Sequence, residues 1–328
     1  MTDIINFLFA AVLAACPLLL GTLGETLTEK SGNLNLGVEG MMFMGGIAGL
    51  AGSYYYERSA AEPAAWVSVT IALVCAFLCA ALGAFIYSVL TITLRANQNV
   101  TGLALTIFGA GFGNFFGEFI GNSTGGYVSV SQATKAGFND PLFPFLSNIP
   151  VVGKLLFSYN FMVYLSLAIA IFMWYFLACT RKGLNLRAVG ERHASADAAG
   201  INVTLYKYLA TCIGGGITGL GGLYIVMNSS NGVGGVWVHN CIGGYGWLSV
   251  ALVIFATWHP ARAILCALAF GTLSVMRFYF PSRIIPISLY EILPYLATVI
   301  VLITVSLRKK RENQPPASLG LAYFREDR

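Results

Sequence analysis

The sequence predicts an all-α fold, a polytopic membrane helical bundle of about eight to nine transmembrane elements, some of them broken or re-entrant. Three observations predict it. The 328-residue chain is 57% hydrophobic and only 10% charged, too apolar for a soluble core to absorb. Its apolar runs recur at about the 20-residue length that carries an α-helix across a bilayer. Its one long interior block of charge, Arg181 to Lys207, has apolar runs on both sides, the pattern of a cytoplasmic loop between crossings.

The first apolar segment covers residues 4–24. Leu13-Ala14-Ala15-Cys16 resembles a lipoprotein cleavage box, but no Lys or Arg precedes it, so a retained helix is expected. Spans follow at 34–54, 66–93, 98–121, 159–180, 207–227, 245–257, 263–280 and 287–307. The 245–257 segment is too short to cross about 30 Å alone. It is expected to combine with the Gly-rich stretch 229–246 as a re-entrant or broken element, or to form the lower end of a tilted helix. Counted as a crossing, it lets the charged block and the tail lie on the same side, with Trp258 to Arg262 as an internal turn. Lys30, Arg95, the block, Arg262 and the tail cations then lie inside. Arg58, Lys135, Lys154, Arg277 and Arg283 lie outside. This excess of inside cations sets the N-terminus out and the C-terminus in. Residues 1–310 form a single transmembrane domain with an external loop at 122–158 and a cytoplasmic loop at 181–207. Within that loop, Gly190 and Gly200 bound a short helix. Residues 311–328 are a cytoplasmic tail.

Two segments place polar groups where lipid would penalise them. Gly109, Gly113, Gly117 and Gly121 recur every four residues and stack in one row on a helix, which lets a neighbour approach closely. Beside them run Ala110, Asn114, Glu118 and Asn122, a row that must face protein or water. Such a helix either packs, with Glu118 at the outer interface, or lines an aqueous path. In Leu34 to Gly46, LNLGVEGMMFMGG, Asn35 and Glu39 are four apart and are expected on one helix face, with Gly37 and Gly40 interrupting the helix. Met41, Met42 and Met44 add an adaptable apolar wall. The plainer reading makes Asn35 a helix cap and Glu39 an internally paired carboxylate. Gly215 and Gly219 read as close helix contact, and Gly232 to Trp247 as an external or re-entrant loop. The Pro-broken apolar stretch 141–157 suits the outer membrane surface or an external partner.

Several function classes are excluded. Gly24 to Ser31, GETLTEKS, comes near a phosphate-binding loop, but Glu29 stands at the second glycine position. The seven cysteines form no CxxC pair, and His193, His239 and His259 are isolated, so no metal and no cofactor are expected. No catalytic constellation suggests an enzyme, and the net charge of +5 is accounted for by loops and tail, with no case for nucleic acid. Mid-helix acid–base pairs of the kind a proton-coupled carrier uses are missing. Active movement of a solute would therefore draw its energy from another polypeptide.

Several motifs together resemble the permease subunits of binding-protein-dependent ABC importers of the branched-chain amino acid, ribose and simple-sugar superfamily, in the nucleoside and simple-sugar branch. They are Gly24-Glu25 through Lys30-Ser31-Gly32, Leu34-Asn35-Leu36-Gly37-Val38-Glu39-Gly40, Asn99 to Leu105, Ile149 to Gly153, Arg187 to Glu191 with Ala198 to Val203, and Phe255 to Pro260. The resemblance implies that 190–200 is the coupling helix seated in a groove of a cytoplasmic ATP-binding subunit, through Gly190, Glu191, Ala194, Asp197, Ala198 and Gly200. It departs from the family at Arg192-His193, where Asn-Pro is common. It also implies that LNLGVEG lies near the translocation path. With the polar row, the candidate path residues are Asn35, Glu39, Met42, Asn99, Asn114 and Glu118. The implied partners are the ATP-binding subunit, a second permease subunit (a heterodimer in preference to a homodimer), an extracytoplasmic solute-binding protein or lipoprotein, and the bilayer of a bacterial-type cytoplasmic membrane. A nucleoside or purine is the expected solute, with flavins and simple sugars open. The alternative is an ATPase-independent secondary transporter or channel, for which Glu39 alone would serve as a coupling group.

Overall fold

A computed structural model describes residues 2–123, 125–147, 152–228, 234–280, 287–307 and 314–324. Helix α1, Thr2–Glu29, opens the bundle, followed by α2, Val38–Ser59, and α3, Ala65–Ser88, which ends in a π turn over Val89–Thr93. Helix α4 is Gln98–Ser123. The loop beyond it carries three short helices, α5 (Gln132–Asn139), α6 (Pro144–Ser147) and α7 (Val152–Leu156). Then come α8, Phe161–Cys179, α9, Arg181–Glu191, α10, His193–Ala198, and α11, Val203–Met227. The chain closes with α12, Tyr245–Phe255, α13, Pro260–Tyr279, and α14, Ile287–Leu307. Among the described residues the only β feature is one antiparallel bridge, Ser129 with Val236.

Six of these helices (α1, α3 with its π turn, α4, α8, α11 and α13) are long and apolar enough to cross a membrane. With α2, α12 and α14 they reproduce the order of spans read from the sequence. Every buried backbone amide here must be satisfied within the protein, which helices do locally. Helix α11 is the central one, flanked by α1, α2 and α3. Its glycines permit this. A Cβ built on Gly222 would lie 1.9 Å from the Met42 carbonyl oxygen, and one on Gly214 2.4 Å from that of Gly24. Small residues replace side-chain interdigitation with backbone contact, as membrane helices require when lipid offers no hydrophobic drive.

Two boundaries differ from expectation. The 34–54 span begins at Val38, because Asn35 accepts the Gly37 N–H at 2.9 Å and closes a turn ahead of α2. Asn35 and Glu39 therefore do not share a helix face. The 190–200 helix is divided. Gly190 lies in the last turn of α9, Arg192 is extended at φ −150°, and α10 starts at His193. Parts of the 141–157 and 229–246 segments and most of the tail before Gln314 lie outside the described residues.

Candidate functional site

The turn before α2 is built from side chains of three other helices. The Asn35 N–H donates to Glu25 Oε1 of α1 at 3.1 Å, and the Leu34 N–H to Gln98 Oε1 of α4 at 2.7 Å. Tyr87 of α3 donates to the Leu34 carbonyl at 2.6 Å, and Thr106 of α4 to that of Leu36 at 2.8 Å. Five backbone groups of the unwound segment, the N–H groups of Leu34, Asn35 and Gly37 and the carbonyls of Leu34 and Leu36, thus have side-chain partners, as burial demands. Asn35 is 1% exposed and Met42 is fully buried, packed at the α1–α11 contact. One helical turn below Glu25 on α1, Glu29 accepts the indole N–H of Trp258, tying α1 to the turn between α12 and α13.

Glu39 occupies the first turn of α2, half-buried, with its carboxylate facing the backbone N–H groups of Gly244 and Trp247. Those amides are the free donors at the start of α12, whose own cap, Gly244, offers no side chain. A carboxylate at a helix N-terminus satisfies the donors and the dipole together. Gly246 lets the two backbones close, since its Cβ would fall 2.3 Å from Glu39 Cα. Oxygen Oε2 of Glu39 has no hydrogen-bond partner among the described residues.

On α4 the glycine row is the packing face. Gly109 abuts Gly40 of α2, Gly113 abuts Phe43, and Gly117 lies under the Trp237 indole. The neighbouring row grips the glycine–aromatic segment that follows α11. Asn114 accepts the Asn240 N–H at 3.0 Å, and Glu118 meets His239 Nδ1 at 2.6 Å with both side chains exposed. Asn99 is exposed near the start of α4. The structure therefore joins Asn114 to Glu118 through the 234–241 segment, and Glu39 to α12. It does not bring Asn99, Asn35 or Met42 into that group.

At the basic end of the bundle, α9 and α10 form a two-faced layer. Thr180 caps α9 by accepting the Gly183 N–H at 3.0 Å. Val189, His193 and Ala196 face inward with Val203, while Glu191, Ala194 and Ala198 are exposed and Asp197 is half-buried. Gly200, at φ +81°, reverses the chain after α10, where a side chain would be strained. Gly190 is buried against the Lys30 carbonyl. Burial, and next the charge of Lys207, push the imidazole of His193 down to about 4.

Sequence reasoning missed three of these anchors. Glu25 and Glu29 fall just beyond the apolar 4–24 segment, in the polar stretch 25–31, and gave no sign of their distant partners. Glu57 accepts from Ser131 N and Oγ and from Thr134 Oγ1, fixing α5 to the end of α2. The only available signal for α1 was the spacing of four between its two acidic residues, which stacks them on one face.

The fold is that of a multi-pass helical membrane protein with a pinned break before its second helix and a two-faced helical layer beyond the bundle. The family model described as branched-chain amino acid transport system / permease component matches residues 7–302, and the chain belongs to that family. It is a permease subunit of an ABC transporter. It is 36% identical, over 83% of its length and 77% of the relative's, to a Haloferax volcanii protein named as a glucose ABC transporter permease protein. It is 31% identical to a nucleoside ABC transporter permease protein of Lactococcus lactis, over 87% of each chain. The same identity, over 89% of each chain, relates it to a guanosine ABC transporter permease protein of Bacillus subtilis.

Proposed function

We propose that this chain is half of the membrane portion of an importer, resident in a bacterial-type cytoplasmic membrane. In this reading it takes a nucleoside or purine from an extracytoplasmic binding protein and passes it inward, driven by ATP hydrolysis in separate subunits. Two of the three relatives above are named for nucleosides, which supports that solute class over a sugar. A second, non-identical permease chain completes the pathway. The solute runs along the polar side of α4, past Asn99, Asn114 and Glu118. Behind it, Glu39, Asn35 and Met42 hold α2 and α12 in shape. Gly190, Glu191, Ala194, Asp197, Ala198 and Gly200 form the rim that the ATP-binding subunit grips.

The observation that carries this reading is the two-faced character of α10. Its inner residues His193 and Ala196 are buried while Ala194 and Ala198, small and uncapped by any described residue, stand exposed beyond the bundle. Small exposed residues beside a rigid layer permit close approach by a partner, and a charge placed there would be buried unpaired. Co-expression with candidate ATP-binding subunits followed by reconstitution tests it. Ala194→Arg and Ala198→Arg should each abolish solute-stimulated ATP hydrolysis and uptake while membrane insertion is retained. Wild-type uptake by both would refute the assignment.

A further inference from the structure

We propose a second binding site on this chain, for a phosphate-bearing anion, in the cavity between the π turn after α3, the first turn of α11 and the tail. The cavity encloses about 280 Å³ and is lined by Thr91, Thr93, Arg95, Thr204, Lys207 and Tyr323 among others. Lys207 is 2% exposed, and its ammonium makes one bond, a long one of 3.5 Å to the Leu321 carbonyl. An ammonium has three donors, so among the described residues two are unspent. Among the described residues neither Lys207 nor Arg95 has a carboxylate partner. A buried cation with no anion beside it among the described residues is the costly half of an incomplete pair.

Two further features point to the same ligand class. The cavity includes Val203 and Thr204, the first residues of the 25-residue helix α11. The Asn202 side chain caps the N–H of Leu205, which leaves the earlier amides facing the cavity end of the helix. Free amides and the positive end of the dipole attract phosphate. Arg95 holds a left-handed backbone, φ +56°, and sets its guanidinium 4.3 Å from the Phe324 ring centroid. That contact fixes a fork-shaped donor at the rim, and guanidinium recognises phosphate oxygens in pairs. The anion is either inorganic phosphate or the phosphodiester of an acidic lipid, since the π turn leads into the exposed Leu94. The site is independent of how solute passes.

The test uses the full-length chain in a phosphate-free maltoside detergent at low salt. Inorganic phosphate should raise its melting temperature in a saturable way. Phosphatidylglycerol retention is read in parallel by native mass spectrometry. Lys207→Met and Arg95→Gln should each weaken binding by about tenfold or more, as loss of a charge-assisted contact does. Lys207→Arg should restore binding, and Lys182→Met, which alters an exposed cation elsewhere, should bind as wild type. Binding of the lipid alone, lost in Lys207→Met, assigns the lipid phosphodiester; binding of inorganic phosphate assigns the free anion. Retention of neither ligand by the wild-type chain, or equal retention by Lys207→Met and Arg95→Gln, overturns the proposal.

Discussion

A carboxylate set in a membrane helix is tolerable where backbone donors replace the water it has lost. Glu39 meets that condition at the start of α12, facing the amides of Gly244 and Trp247. Glu39→Gln keeps an acceptor and should cost less than about 1 kcal/mol, whereas Glu39→Leu leaves the amides bare and should cost about 1–2 kcal/mol, as loss of an N-cap does. Thermal unfolding in detergent reads both, and a Leu variant that melts with wild type would show that α12 is capped by other means. His193 offers a titration at the opposite end. It packs edge-on to Tyr323 at 5.6 Å, against Gly32 and near Lys207, and is held down to about 4. An unfolded histidine titrates near 6.5. The neutral ring therefore contributes its stability in full above about pH 6.5, and that contribution is lost as the pH falls toward 4. Amides of 314–324 should lose exchange protection between pH 7 and pH 5, after correction for intrinsic rates. His193→Phe should flatten this dependence; an equal loss in that variant would place the titrating group elsewhere.

At the scale of the element, α4 separates glycines that are needed from one that is not. A Cβ at Gly109 would strike the backbone of Gly40 at 2.3 Å, which cannot yield without moving α2. At Gly113 the nearest atom is a Phe43 ring carbon at 3.0 Å, which can rotate slightly, and at Gly111 nothing lies within 4 Å. Melting temperatures should therefore fall steeply for Gly109→Ala, modestly for Gly113→Ala, and rise or hold for Gly111→Ala, where helix propensity favours alanine by up to about 1 kcal/mol. Equal effects at all three would mean that α4 does not pack on α2. This face was legible in the sequence, because a four-residue glycine period is a local pattern. The spans were legible for the same reason: hydropathy over about 20 residues is a property of one segment. The break before α2 was legible only as two open readings, a helix interrupted at Gly37 and Gly40 or one capped by Asn35. Asn35 can cap or continue a helix, and the outcome depends on Glu25, Tyr87, Gln98 and Thr106, which reach it from helices far apart in the chain. Nor did composition reveal that Trp237, in a glycine-rich stretch, is buried over Gly117. A loop's polarity is local, whereas its burial depends on which helix happens to be smooth enough to receive it.

Across the whole molecule, the described part of the tail bridges the end of α9 and the turn before α2. Ser318 donates its N–H to the Gly190 carbonyl at 3.0 Å and its hydroxyl to that of Glu191 at 3.1 Å, satisfying acceptors at the end of α9. Two residues on, the Gly320 N–H donates to the Gly32 carbonyl at 3.2 Å, and Gln98 reaches the Leu321 carbonyl at 3.5 Å. Gly32 leads into the pinned turn of Asn35, and Gln98 holds that same turn through Leu34. The chain from α9 through the tail to α2 is therefore one run of hydrogen bonds, crossing from the proposed ATPase rim to the turn behind the proposed path. Such contiguity is a route for coupling only if cutting it separates the two activities. Truncation after Gln314 removes the contacts of Ser318, Gly320 and Leu321 without touching a membrane helix. The truncated permease, assembled with its ATP-binding subunits in liposomes, should hydrolyse ATP at close to the basal rate yet move several-fold less solute per ATP. Ser318→Ala, which keeps the backbone bond to Gly190 but loses the one to Glu191, should fall between. An unchanged ratio of solute to ATP in the truncated form would make the tail a passive cover over α9, with force passing through Gly190 and Lys30 alone.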